Sequence, residues 1–147
     1  MSTTLTGAPV SPGRAAGVVV TMPAPVPEPP EETFDASGAD DAVSRLGAAT
    51  SAVRDRLAAQ AAQATGTAAD VLAVTAAMAA DPTLASDAER RVREESRTPE
   101  RAVWDAANAL AAQLEPLGPP LSERARDVRD VRDRIVAELT GVRPPGV

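Results

Sequence analysis

The charged side chains with the most regular spacing lie in one run, Glu123-Arg124-Ala125-Arg126-Asp127-Val128-Arg129-Asp130-Val131-Arg132-Asp133-Arg134. Its signs alternate at helical spacing. Residues four apart face each other on a helix, so Arg126/Asp130, Arg129/Asp133 and Asp130/Arg134 are expected ion pairs. The plainer reading is a solvated, salt-bridged helix face. The sharper one is that one or two of these arginines touch a partner. Acidic pairs also occur at Glu31-Glu32, Asp40-Asp41 and Glu94-Glu95. Adjacent helical residues point apart, so none of these makes a general acid and base aimed at one substrate.

What is missing narrows the chemistry further. The chain has no His and no Cys. That removes the commonest general base, the imidazole metal ligand, the phosphoryl-accepting imidazole and every thiolate site. Every base is Arg, so Schiff-base chemistry through Lys is absent too. There is no Gly-rich phosphate loop, zinc-ligand spacing or nucleophile elbow. Recognition remains. Met78, with Thr75, Ala79 and Ala80 before the Asp81-Pro82 break, is either core filling or an adaptable apolar contact for a partner.

Composition agrees with recognition rather than catalysis. The net charge is −6, with a pI near 4.7. Nucleic acid wants a basic surface and is not the expected partner; a basic or mixed protein surface is. The apolar stretches read as shorter than the roughly 20 residues that span a bilayer, so no membrane role is expected. The first residues, Met1 to Gly7, lack the basic start of a signal peptide, and a cytoplasmic location is expected. Hydrophobic residues make up 44% of the 147, but aromatics only 1%, namely Phe34 and Trp104. Ala, the strongest helix former, dominates, which predicts helices that approach closely.

The elements that must position these residues fall into three zones. Residues 1–22 read as an extended segment, with a turn at Ser11-Pro12-Gly13 and a β-branched run at Val18 to Val20. Residues 23–38 form a Pro-rich, acidic connector, polyproline-like or loose. Residues 39–147 read as a helical domain. The first helix is expected from about Asp40 to Ala64, stopped by Gly66, with Thr67 capping the second. Val71, Val74 and Met78 form that helix's stripe. Asp81-Pro82 and Thr98-Pro99 each place an N-cap before a Pro at the first helical position. They predict helices with Leu84, Ala88 and Val92, then Val103, Ala107, Leu110, Leu114 and Leu117, facing inward. A last helix is expected from about Leu121 to Thr140, broken from its predecessor by Gly118-Pro119-Pro120 and stopped by Gly141. The expected fold is all-α: an antiparallel bundle of two helical hairpins, about five helices, with an N-terminal strand segment.

Three segments, in this order, carry a family resemblance. Gly7 to Val18 resembles the opening of Enzyme I proteins, the phosphoenolpyruvate–protein phosphotransferases: a glycine, a short apolar stretch, Ser-Pro-Gly (Ser11, Pro12, Gly13), small residues and another glycine, Gly17. Val71 to Leu84 resembles their apolar segment ending in acidic-Asp-Pro-x-Leu. Glu123 to Asp130 resembles their Glu-Arg-Ala-Ala-Asp-apolar-Arg-Asp signature. The resemblance implies a helical module inserted into a phosphohistidine domain and followed by a barrel that binds phosphoenolpyruvate and Mg²⁺. This stretch would then be a non-catalytic fragment of a longer enzyme, holding no cofactor itself. The parent would be a homodimer through its C-terminal domain. The module's partner would be the phosphocarrier HPr. Its docking residues, carried over by position, are Leu72, Thr75, Met78, Asp81, Thr83, Leu84, Leu114, Leu121 and Arg124. The family often has His where Thr75 stands, and a longer acidic stretch where Gly118-Pro119-Pro120 stands. The first strand, paired in the family with the phosphohistidine domain, would here be an open edge. The alternative is a structural or oligomerising bundle that keeps the fold without carrier binding. Exposure of Met78 and Leu121 together would separate the two.

Overall fold

The computed structural model describes residues 17–18 and 24–142. Five helices account for most of them: α1 (Ala39–Gln63), α2 (Thr67–Ala79), α3 (Pro82–Glu95), α4 (Pro99–Leu114) and α5 (Leu121–Thr140). Single 3₁₀ turns precede α1 at Ala36–Gly38 and follow α4 at Glu115–Leu117. Of the expected strand segment only Gly17 and Val18 are described, both exposed. The rest of it lies outside the described residues.

The helix starts follow from local chemistry. At α3, Asp81 is extended and its carboxylate accepts from the Thr83 amide at 2.7 Å, with Pro82 in the first turn. At α4, the Thr98 hydroxyl accepts from the Arg101 amide at 3.4 Å, with Pro99 next. Each satisfies an amide that the helix itself leaves free. The start of α2 differs from expectation. Thr67 is its first residue, and Gly66, at φ 61° and ψ −148°, is the N-cap. Only glycine takes that backbone without strain. Helix α1 ends earlier, where Ala64 turns extended.

The bundle is two hairpins. Helix α1 packs along α2, α4 along both α3 and α5, and α1 closes against α5. The inward faces have helical spacing: Ala42, Leu46, Ala49, Val53 and Leu57 on α1; Leu84, Ala88 and Val92 on α3; Ala125, Val128, Val131 and Ile135 on α5. Among the described residues, half of the 22 buried apolar ones are Ala. Small side chains at the contacts let the helices approach closely, which is how a core almost without aromatics fills its interior.

The stripe Val71, Val74, Met78 exists: Val71 and Val74 face outward, 57% and 50% exposed, while Met78 is half-buried. Thr75, Ala76 and Ala79 are the residues of α2 that are buried. Thr75 can go inside because its hydroxyl donates to the Val71 carbonyl at 2.8 Å, leaving no unmet donor. Leu117, expected inward, is 60% exposed, since the helix has tightened to a 3₁₀ turn before reaching it.

The connector is not loose. Val26 and Pro29 are buried, the Phe34 amide donates to the Ser96 carbonyl at 3.0 Å, and Thr33 pairs with Arg97 in an isolated antiparallel bridge. By composition one stretch, Thr67–Glu95, is apolar enough to suit a bilayer. The Asp81-Pro82 break divides it into α2 and α3, of 13 and 14 residues, each shorter than a bilayer needs.

Candidate functional site

A cleft of about 150 Å³ opens at one end of the bundle. Four elements meet there. The C-terminal end of α2 supplies Met78, and the start of α3 supplies Asp81 and Leu84. The last turns of α4 bring Leu110 and Leu114, and the first turns of α5 bring Leu121, Arg124 and Val128. Four chain ends converge because the hairpins are antiparallel and their turns are short. The floor is core: Leu84 and Val128 are buried. The walls, Met78, Leu114 and Leu121, are half-buried. The cleft is therefore an apolar slot whose sides belong partly to the core and partly to the surface.

Its rim carries one charge of each sign. Asp81 is fixed, because its carboxylate caps α3. Arg124 is exposed and forms no ion pair among the described residues. A cation held beside an apolar slot with no internal partner is available to an anionic group on a visitor.

Of the nine expected docking residues, six line this cleft: Met78, Asp81, Leu84, Leu114, Leu121 and Arg124. Thr83 sits two residues from the cap, exposed, and faces instead a shallow groove of about 310 Å³ between α3 and α4. That groove also takes in Asp87, Arg90 and Arg91, whose charges are spent on one another. Burial pushes the Asp87 carboxyl up, but hydrogen bonds from Arg90 and Arg91 outweigh it and hold the group below its ordinary value. Leu72 is half-buried against the core, and Thr75 lies beneath the surface with its hydroxyl used; neither lines the cleft. Met78 and Leu121 share one fate, each half-exposed in the same slot.

Sequence reasoning missed the outward face of α2. Val74 and Val71 lie one and two turns before Met78 and extend the apolar surface from the cleft along the helix. The signal was present: from Val71 to Ala80 there is no charged residue, more than a helix buried on one side requires.

The alternating charges of α5 divide. Asp130 and Arg134 pair at 2.8 Å as expected. Arg129 turns instead to Glu115 at 2.6 Å, tying the turn before α5 to its third turn. Arg126 forms no ion pair among the described residues. Arg132 lies with its guanidinium 3.7 Å from the centre of the Trp104 ring and donates to Asn108 at 2.6 Å, clasping α5 to α4. Among the described residues no three acidic side chains come together in a group that could hold a metal ion.

Comparison with known proteins bears on this geometry. The family model described as PEP-utilising enzyme, N-terminal, matches residues 6–124. The phosphoenolpyruvate-protein phosphotransferase of Streptomyces coelicolor is 46% identical over all 147 residues, which span 26% of that protein's length. An NMR solution structure of Enzyme I superposes with a TM-score of 0.72 at 25% identity, covering 82% of this chain and 50% of that one.

Proposed function

The chain belongs to the PEP-utilising enzyme, N-terminal family, and on that premise we propose that it is the carrier-docking module of a phosphoenolpyruvate–protein phosphotransferase. In this reading an HPr-like phosphocarrier seats an apolar side chain in the cleft of Met78, Leu84, Leu114 and Leu121. Arg124 meets an acidic or phosphate group beside it, and Thr83 touches its edge. Leu72 and Thr75 support α2 from beneath. The module positions and does no bond-making; the phosphoryl relay, its Mg²⁺ and the parent's dimerisation belong to regions of the longer protein. A cytoplasmic setting goes with the same reading.

The observation that carries the proposal is convergence. Six residues chosen by position in the sequence, spread from 78 to 124, line one slot. The slot is small, open and rimmed by charge, which suits a transient contact better than a permanent one. The test is an NMR titration of the chain with HPr from the same organism. Amide shifts confined to residues near 71–84 and 110–124 are expected. No shift at millimolar carrier would sink the docking role. Concentration-dependent self-association through Val71 and Val74 without carrier binding would instead favour an oligomerising bundle.

A further inference from the structure

Among the described residues, the most heavily bonded side chain lies at the other end of α4 from the cleft. Arg101 is 8% exposed. Its Nε and Nη2 grip Asp105 at 3.0 and 2.9 Å, one turn along α4. The rest of the guanidinium faces the connector. Nη1 donates to Glu28 at 2.9 Å and to the Pro29 carbonyl at 3.0 Å, and Nη2 reaches Glu31 at 3.2 Å. The fork thus binds one carboxylate of its own helix and three acceptors more than 65 positions away. Around this anchor the connector is packed as well as tied. Val26 joins the core. The Phe34 amide is bonded to Ser96, and the Phe34 ring lies over Gly38, where a Cβ would stand 3.3 Å from it.

We propose that residues 24–35 form a strap whose orientation is set by Arg101, so that this one arginine determines the direction from which the preceding chain enters the bundle. Asp105 is the positioning residue. It fixes the plane of the guanidinium, leaving the outer edge aimed at the strap. Three carboxylates around one cation hold the strap only while the geometry is kept, because without Arg101 they repel each other. The strap is also separable from the core. Glu28 and Glu31 are 60% and 70% exposed, and of its apolar side chains Val26 is a buried member of the core cluster while Phe34 packs half-buried against it. The strap anchor and the cleft stand at opposite ends of α4, about 20 Å apart along its axis at roughly 1.5 Å per residue. The device is independent of whether a carrier docks.

The test is amide exchange measured by NMR on the full chain, in wild type, in Arg101→Met and in the double variant Glu28→Gln/Glu31→Gln. The Phe34 amide is expected to exchange about tenfold faster or more in both variants. The amides of Val131 and Ile135 keep their protection. As a second readout, the chain has no Cys, so Ala24→Cys with Ala112→Cys gives one defined pair of spin labels. Their distance distribution is expected to be narrow in wild type and broad in each variant. If Arg101→Met does not fold, the double variant decides alone, since its changes lie on the exposed side of the strap. Wild-type protection of Phe34 together with a narrow distribution in the double variant would overturn the proposal. So would loss of Phe34 protection only in step with α5.

Discussion

Met78 and Thr75 sit three residues apart on one helix and have opposite fates. Met78 reaches the cleft; Thr75 turns in and bonds its own backbone. Truncating Met78 to Ala removes a wall of the slot without opening the core. We expect carrier affinity to fall about 5- to 30-fold, the scale of one or two kcal/mol, with little change in melting temperature. Titration calorimetry and thermal unfolding of the same variant check both halves. Thr75→Val keeps the buried shape and should leave carrier affinity unchanged. Arg124→Ala should flatten the dependence of affinity on salt, because it removes an exposed charge at the rim. At this scale sequence legibility was uneven. Met78, Asp81 and Arg124 were placed by the family resemblance, and the pattern around them sets each beside a helix end that the sequence marks. Arg101 could not, since its partners Glu28 and Glu31 lie 73 and 70 residues away and no periodicity links them. Val71 and Val74 were legible as a stripe but not as an exposed one, because an apolar stripe tells which residues share a face and not what that face meets.

Helix α3 shows what is decided at the level of an element. Its start rests on Asp81, and Asp81→Ala should cost about 0.5–2 kcal/mol, read as a shift of the urea midpoint with unchanged slope. Carrier binding should weaken in the same variant, because the cap also fixes where Leu84 and the cleft rim begin. Further along α3, Asp87 gives a dependence on pH. Its folded value lies below the unfolded one, so its contribution is present at neutral pH and above the unfolded value. That contribution is lost as pH falls through the depressed folded value. The stability gap between wild type and Asp87→Asn should therefore be open at neutral pH and closed in strong acid, measurable by urea unfolding at both. The starts of α3 and α4 and the stop of α5 were legible because Asp81-Pro82, Thr98-Pro99 and Gly141 each state the boundary in local chemistry. The turn between α1 and α2 was not. Gly66 could serve as a stop or a start, and the choice depended on where Ala64 left the helix.

For the whole molecule, the decisive fact is an interior made of alanine. Ala107, fully buried between helices, has no room to grow. Ala107→Leu should destabilise the bundle by about 1–3 kcal/mol through overpacking, again read from urea unfolding. The bundle itself was readable from composition and helical period. The connector's attachment was not, because its proline-rich composition describes a free segment and says nothing of a surface that receives it.

The cation lying on Trp104 has an optical side. The chain holds one Trp and no Tyr, so its intrinsic emission comes from a single ring, at the seam where α5 is clasped to α4. Fluorescence during unfolding is thus a record of that seam alone, while far-ultraviolet circular dichroism averages all five helices. The two curves will superimpose only if the seam and the bundle come apart in one cooperative step.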